Sequence, residues 1–251
     1  MSEIKTERTV RSVANACAIL ELLSQTPTSR VTDLAAEVGL TKASVYNLLT
    51  TLREYGLVTR DDDKKYRLGH GIARLASAMN LAETLAEVSG LHLRALADEI
   101  GEQALVGVLD GDRALFVARA ESARAVQLVV RTGFAEPIHA TATGKVLAAW
   151  RSEAFQRSLA SHALDAYTAR TITDGPTLLR ELENVRQVGY ATCRQEHQEG
   201  VNGLAVPIRT KRGDVIASLS IAAPVDRLPD HRVSELLSHM TPVADRIGAS
   251  F

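Results

Sequence analysis

The chain has 251 residues, 45% of them hydrophobic and 24% charged, with a net charge of -1, which supports one large core or two modest ones. That balance argues against a polyanion sheath, although a local basic patch still permits DNA binding. Cys17 and Cys193 supply neither a disulfide framework nor the four ligands of a structural zinc site, and no cofactor is called for. Residues 1–30 hold no apolar signal-peptide core and no run approaches the roughly 18 apolar residues of a membrane span, so the expectation is a cytoplasmic protein that does not engage membrane.

Three helical signatures open the chain. Val13, Ala16, Cys17, Leu20 and Leu23 recur at helical spacing over Ser12 to Leu23, and Pro27, Thr28 and Ser29 interrupt them. Thr32 is the expected cap of a second short helix, "DLAAEV", with Leu34, Ala35 and Val38 inward and Gly39 in the left-handed position that closes it. Thr41 is the expected cap of a third. A turn of about three residues containing Gly between two helices is the spacing of a helix-turn-helix. In that arrangement Val45, Leu48, Leu49 and Leu52 are buried, while Lys42, Ala43, Ser44, Tyr46 and Asn47 face the major groove. Asn47 suits an adenine edge, Lys42 guanine or phosphate, and Ala43 a thymine methyl. A helical bundle whose polar face meets only water has the same local pattern.

"LVTR", "DDDKK" and "YRLG" then read as two short strands around a charged loop, a wing that brings Lys64, Lys65 and Arg67 toward the flanking backbone. Arg8 and Arg11 lie on the arm before the first helix. Residues 1–70 hold ten Lys plus Arg against nine Asp plus Glu, so charge alone does not make the case, and "DDDKK" is also what a solvated loop looks like.

From Gly71 to about Glu102 the pattern is helical, with one stripe through Leu75, Ala78, Met79 and Ala82 and a second through Val88, Leu91, Leu93, Leu96 and Ile100. This reads as a connecting helix followed by the first helix of another domain. Its Ala-rich stripe fits a dimer surface or a buried intrachain helix equally. "QALVGVL" and "ALFVARA", joined at Asp110-Gly111, form a hairpin, and "AVQLVV" is a third expected strand. "GLAVPI" and "VIASLSIAA" flank a turn at Thr210 to Asp214, and a helix from about Asp230 closes the chain. Strands, helices and further strands without regular alternation predict an α+β domain on an antiparallel sheet.

Between the strand groups lies "EPIHATATGKVLAAW". Pro137 holds the chain extended, and Thr141 or Thr143 is placed to cap a helix from about Gly144 through Trp150. Free amides at that N-terminus, with small residues Ala140, Ala142 and Gly144 allowing close approach, suit a carboxylate; a plain capped helix looks the same locally. Lys145 lacks the flanking glycine pattern of a P-loop lysine.

The motifs "VANACAILELL", "DLAAEVGLTKASVYNLLTTLREYGLV", "YRLG", "PIHATATGKVLAA", "GYATCRQEHQEGVNGLAVPI" and "SLSIAAP", in this order, resemble the isocitrate lyase regulator (IclR) family of bacterial transcription factors over nearly the whole chain. The resemblance implies a two-domain α+β protein. Its parts are a winged helix-turn-helix DNA-binding domain at 1–70, a linker helix at 71–85, and a GAF-like α/β effector-binding domain with an antiparallel sheet at 86–251. It also implies operator DNA and a small, often carboxylate-bearing or aromatic effector as partners, with a homodimer or homotetramer as the assembly.

By the same resemblance, the effector lies among Leu128, Ala142, Thr143, Gly144, Cys193, Val201, Gly203, Ser220 and Ala222. Many relatives carry acidic residues where this chain has Cys193, Arg194 and Gln195, keeping only Glu196; Gly203 and Ala222 leave the wall roomier and more apolar. The expected effector is therefore an aromatic or bulky carboxylic acid, its carboxylate on the Ala142 to Gly144 amides and Ser220 as polar partner. In the recognition helix, relatives often have proline at Thr41, histidine at Tyr46 and arginine at Asn47, so the docking mode carries over and the operator sequence does not. Repression is slightly favoured over activation.

Three rival readings remain. Cys193 and His197, one helical turn apart if their segment is helical, form a thiol-imidazole pair for a Cys-dependent enzyme. Cys193, His197 and His139 form an incomplete metal set. Control by a protein partner rather than a metabolite is the third.

Overall fold

The structure is a computed structural model that describes residues 10–26, 28–77, 81–122, 124, 128 and 130–251. Contacts divide the chain into two compact units, 1–80 and 81–251.

The first unit contains α1 (Arg11–Gln25), α2 (Val31–Val38), α3 (Lys42–Glu54), β1 (Val58–Arg60), β2 (Tyr66–Leu68) and α4 (His70–Ser77). Its core joins Ile19 and Leu23 of α1, Leu34 and Ala35 of α2, and Val45, Leu49 and Leu52 of α3 to Val58 and Tyr66 of the wing. The cap of α2 differs from expectation. Arg30, not Thr32, is the N-cap, and Thr32 lies inside the first turn. The backbone of Ser29 pairs with Tyr66 at 2.9 and 2.8 Å, which holds the chain extended up to Arg30. Asp33 then accepts the Arg30 amide at 3.4 Å, a carboxylate suited to a helix start. Gly39 closes α2 at φ 70°, and Thr41 caps α3 by accepting the Ser44 amide at 3.2 Å. Three residues thus separate the two helices. In the wing, β1 and β2 pair antiparallel with Thr59 opposite Arg67. Its turn closes where the Lys65 amide donates to Asp61 at 2.8 Å and Lys64 takes φ 60°.

The second unit opens with α5 (Leu81–Ile100), so the stretch expected as a linker, 71–85, spans most of α4 and the start of α5. Next come β3 (Gln103–Asp110), β4 (Arg113–Ala120), β5 (Ala135–Pro137), α6 (Ala142–Ala149), α7 (Glu153–Ser161) and α8 (Gly175–Val188). The unit ends with β6 (Ala191–Arg194), β7 (Val201–Arg209), β8 (Val215–Pro224) and α9 (Val233–Gly248). The six strands form one antiparallel sheet in the order β5-β4-β3-β8-β7-β6. Leu85, Leu93 and Leu96 of α5 and Leu236, Met240 and Ile247 of α9 cover one face, against Val106, Leu204, Leu219 and Ile221. On the other face Ala142 and Val146 of α6 and Leu178 and Leu182 of α8 meet Ala191, Cys193 and Ala205.

Most of the "AVQLVV" strand expected at 125–130 lies outside the described residues, while Leu128 and Val130 are in no strand; the described neighbour of β4 is instead β5. The closing helix begins with a 3-10 turn at Asp230–Arg232, as its expected start near Asp230 requires. Helix α6 starts two residues before the expected Gly144, because Thr141 is its N-cap and accepts the Gly144 amide at 3.1 Å.

Candidate functional site

The exposed face of α3 is the first candidate surface. Burial of Val45, Leu49 and Leu52 leaves Lys42, Ala43, Ser44, Tyr46 and Asn47 exposed on the opposite side. Of the flanking cations, Arg11, Lys64 and Arg67 are exposed and Lys65 is half-buried. Arg67 is held by Thr59, whose hydroxyl its Nε reaches at 3.3 Å. Arg8 lies outside the described residues. Sequence reasoning missed Arg60, whose guanidinium sits 5.5 Å from the Tyr66 ring centroid and stiffens the wing.

The second candidate is a cavity of about 290 Å³ between the sheet and the start of α6. Register explains its walls, since cross-strand partners share a face. Cys193 is opposite Gly203 and Gly203 opposite Ala222, while Ala205 and Leu105 flank Ser220. Leu128, Ala142, Thr143, Cys193, Val201, Gly203, Ser220 and Ala222 all line it. Gly144 does not. Its Cα is pressed against the Ile138 backbone, where a Cβ would collide, and its amide is engaged by Thr141. The expected carboxylate site on the Ala142 to Gly144 amides is therefore reduced to the Ala142 and Thr143 amides, which have no acceptor among the described residues. The close approach of α6 to the sheet needs a second glycine, Gly107, where a Cβ would meet Thr143 Cγ2 at 2.6 Å.

The polar content of the walls is sparse. Ser220 is 3% exposed, and its hydroxyl has no hydrogen-bond partner among the described residues. Cys193 donates its thiol to the Ala140 carbonyl at 3.1 Å, and burial first, then the charge of Glu196, pushes its pKa up. It lies on β6, so Cys193 and His197 are not a helical turn apart, and a thiol held protonated is a poor nucleophile. Burial first, then the charges of His139 and Arg113, lowers the pKa of His197, whose ring meets Tyr167 edge-on at 5.1 Å. His139 is turned away: its Nε2 donates to the Asp165 carbonyl at 2.9 Å, and it lines a separate hollow with Tyr167 and His162. Among the described residues no group of three or more His, Cys, Asp or Glu side chains is placed to hold a metal ion.

Sequence reasoning missed several wall residues, among them Phe116, Arg131, Phe134, Glu136 and His197. Their place in the wall is set by long-range packing and left no local signal. Burial raises the pKa of Glu136 to about 7 against the opposing charge of Arg113. Lys145, one residue beyond Gly144, is 1% exposed. Its ammonium donates to Glu196 at 2.7 Å and to Glu181 and the Thr192 carbonyl at 3.1 Å, which fixes the segment carrying Cys193 and His197 against α6 and α8. Glu196 is thus a structural partner of Lys145 and does not line the cavity.

Residues 77–249 match the family described as bacterial transcriptional regulator IclR C-terminal, and residues 12–62 match the IclR helix-turn-helix domain. The chain belongs to the IclR family. Like other members it is a DNA-binding transcriptional regulator and not an enzyme. The HTH-type transcriptional regulator KdgR of Escherichia coli K12 is 31% identical over 96% of this chain and 92% of its own length. A putative IclR regulator from Silicibacter sp. TM1040 superposes with a TM-score of 0.71 at 28% identity, covering 94% of this chain and 96% of that one. An IclR homologue from Microbacterium hydrocarbonoxydans, solved in complex with 4-hydroxybenzoate, superposes with a TM-score of 0.62 at 26% identity, over 94% of this chain and 97% of that one.

Proposed function

We propose that this IclR-family member is a metabolite-responsive repressor whose effector is an aromatic or similarly bulky carboxylic acid held in the 290 Å³ cavity. The observation that carries the reading is the cavity's combination of walls: Leu105, Phe116, Leu128 and Phe134 are apolar, while the Ala142 and Thr143 amides and the unpartnered Ser220 hydroxyl offer a few fixed polar contacts. Such a wall suits a flat apolar body with one anionic end. The 4-hydroxybenzoate bound by the Microbacterium relative belongs to the same chemical class.

DNA is read by Lys42, Ala43, Ser44, Tyr46 and Asn47 on α3, with Arg8, Arg11, Lys64, Lys65 and Arg67 on the flanking phosphates. A regulator of chromosomal DNA works in the cytoplasm, and among the described residues no helix is long and apolar enough to cross a membrane. Two recognition helices are needed for a paired half-site, which calls for a homodimer or homotetramer. Effector binding is linked to DNA binding through the 71–85 stretch, and an effector that prefers one arrangement of the two winged helices changes DNA affinity by the factor that DNA changes its own. Repression is the proposed sign, since a protein seated on an operator excludes polymerase by occupancy alone.

The test is fluorescence anisotropy of DNA from the chain's own promoter region over a salt series, with and without a panel of aromatic carboxylic acids. Salt-sensitive, sequence-specific binding weakened by one acid supports the reading. Specific binding unmoved by any acid discards the effector class and leaves a protein partner as the controlling signal.

A further inference from the structure

Glu136 has no role in the reading above, and its surroundings give it one. It sits on β5 opposite Ala114, one alternation from Phe116 on β4, and therefore on the face of the sheet that carries the cavity. No hydrogen bond or ion pair reaches its carboxyl from any described residue. The nearest candidate, Arg113, directs Nε and Nη2 to the Ala135 carbonyl at 3.3 and 3.0 Å. The carboxyl thus stands unpartnered in a wall whose neighbours include Phe116, Leu128, Val130 and Phe134.

Glu136 and the helix start draw on different strands. Ala142 lies over β7, where a Cβ on Gly203 would meet it at 3.5 Å, and Thr143 lies over β3 at Gly107. Glu136 is on β5, at the opposite edge of the sheet from β6 and its Cys193. The wall therefore holds two kinds of polar group, N–H donors to an anion at the start of α6 and a carboxylate acceptor on β5.

We infer that Glu136 selects effectors that carry a hydrogen-bond donor, a hydroxyl or an amino group, in addition to their carboxylate. The inference rests on the effector reading proposed above and narrows it from an aromatic acid to a donor-substituted one. A ligand O–H or N–H would complete the lone carboxyl with a charge-assisted bond. A ligand without a donor would strip the remaining water from this half-buried group and leave it unpaired, which is how a desolvated polar group rejects the analogue lacking its partner.

The elevated pKa of Glu136, about 7, adds a pH signature. The other charged or titratable groups sharing the site are Arg113 from β4, Arg131 from the segment before β5, Cys193 from β6 and His197 from the turn after β6. A donor ligand binds the ionised carboxyl better, lowers its pKa and releases a proton, so its affinity relative to a donor-free acid rises with pH until the free group is ionised.

The experiment measures dissociation constants of the full chain for benzoate, 4-hydroxybenzoate and 4-aminobenzoate by calorimetry between about pH 6 and about pH 8, on either side of the Glu136 value. The expected result is a preference of about tenfold or more for a donor-bearing acid over benzoate that widens with pH. It should shrink to about twofold in Glu136→Leu and lose its pH dependence in Glu136→Gln. Tight binding of the acids with a preference that both variants leave intact overturns the inference and leaves the effector reading standing. Binding of none of the three acids overturns both. Thermal unfolding of the two variants without ligand shows that any lost preference does not come from lost structure.

Discussion

Helices α3 and α6 begin with the same device and end in opposite surroundings. Thr41 and Thr141 each sit at the N-cap and each accept the amide three residues on, from Ser44 at 3.2 Å and from Gly144 at 3.1 Å. Each helix has a lysine in its first turns. In α3 the apolar residues form one stripe and Lys42 projects into solvent; in α6 every residue is buried, Lys145 included. Local chemistry sets where a helix starts, whereas what packs around the start determines whether its free groups meet a macromolecule or a small molecule. An open start suits DNA, and an enclosed one suits a metabolite.

The largest expected effect that separates the two is Lys145→Met. Removing the ammonium strands Glu196, which is 8% exposed. Breaking a buried pair in this way costs about 4 kcal/mol, read as a lowered urea midpoint of the full chain. Glu136 comes next. Its pKa of about 7 against an ordinary 4.5 means that the folded chain holds a proton the unfolded chain has lost between those values. Stability is therefore fully present below 4.5 and falls as pH rises through about 7, by up to about 3 kcal/mol. Glu136→Gln should flatten that fall in denaturant titrations, and an unchanged slope would show that the carboxyl is not desolvated.

The caps give a smaller contrast. Thr41→Ala removes an exposed cap and should cost about 1 kcal/mol, whereas Thr141→Ala also removes a buried bond to the Pro137 carbonyl and should cost about 2 kcal/mol. Equal costs would break the comparison. Smallest in stability is Lys42→Met, expected within about 0.5 kcal/mol of the parent. Its effect should appear only on DNA, as weaker binding with a salt slope reduced by about one if the contact is to phosphate.

Much of the first unit was legible because its determinants are local. The cap at Thr41, the turn at Gly39 and the stripe through Val45, Leu48, Leu49 and Leu52 all lie within a dozen or so residues, and the structure holds them as written except that Leu48 is half-buried. Thr32 misled because the backbone bridge from Ser29 to Tyr66 outweighed a favourable cap residue. Cavity residues carried over from family motifs gather around one space, since strand register gives Cys193, Gly203, Ala222 and Ser220 one face. Gly144 did not join them, because only the packing of Ile138 shows which way it points. Lys145 and Glu136 were not legible for the same kind of reason. The acids that hold Lys145 lie 36 and 51 residues away, and the lone carboxyl of Glu136 is defined by the absence of a partner among described side chains, which no window of sequence displays.

The Lys145 ammonium has three N–H bonds, and each ends on a different length of chain: α8 at Glu181, β6 at Thr192 and the following turn at Glu196. In mechanical terms it is a three-point mount, and a body held at three non-collinear points can neither slide nor rock. The rim bearing Cys193 and His197 is thereby stiff. At the other rim the holds converge on a single residue, Val130: the Gln103 amide donates to its carbonyl at 3.0 Å and accepts its amide at 2.9 Å, and Arg119 Nη1 donates to the same carbonyl at 3.3 Å. Strain from an oversized guest would be taken up at that singly anchored rim rather than at the Lys145 mount, and the compliance of the cavity is one-sided.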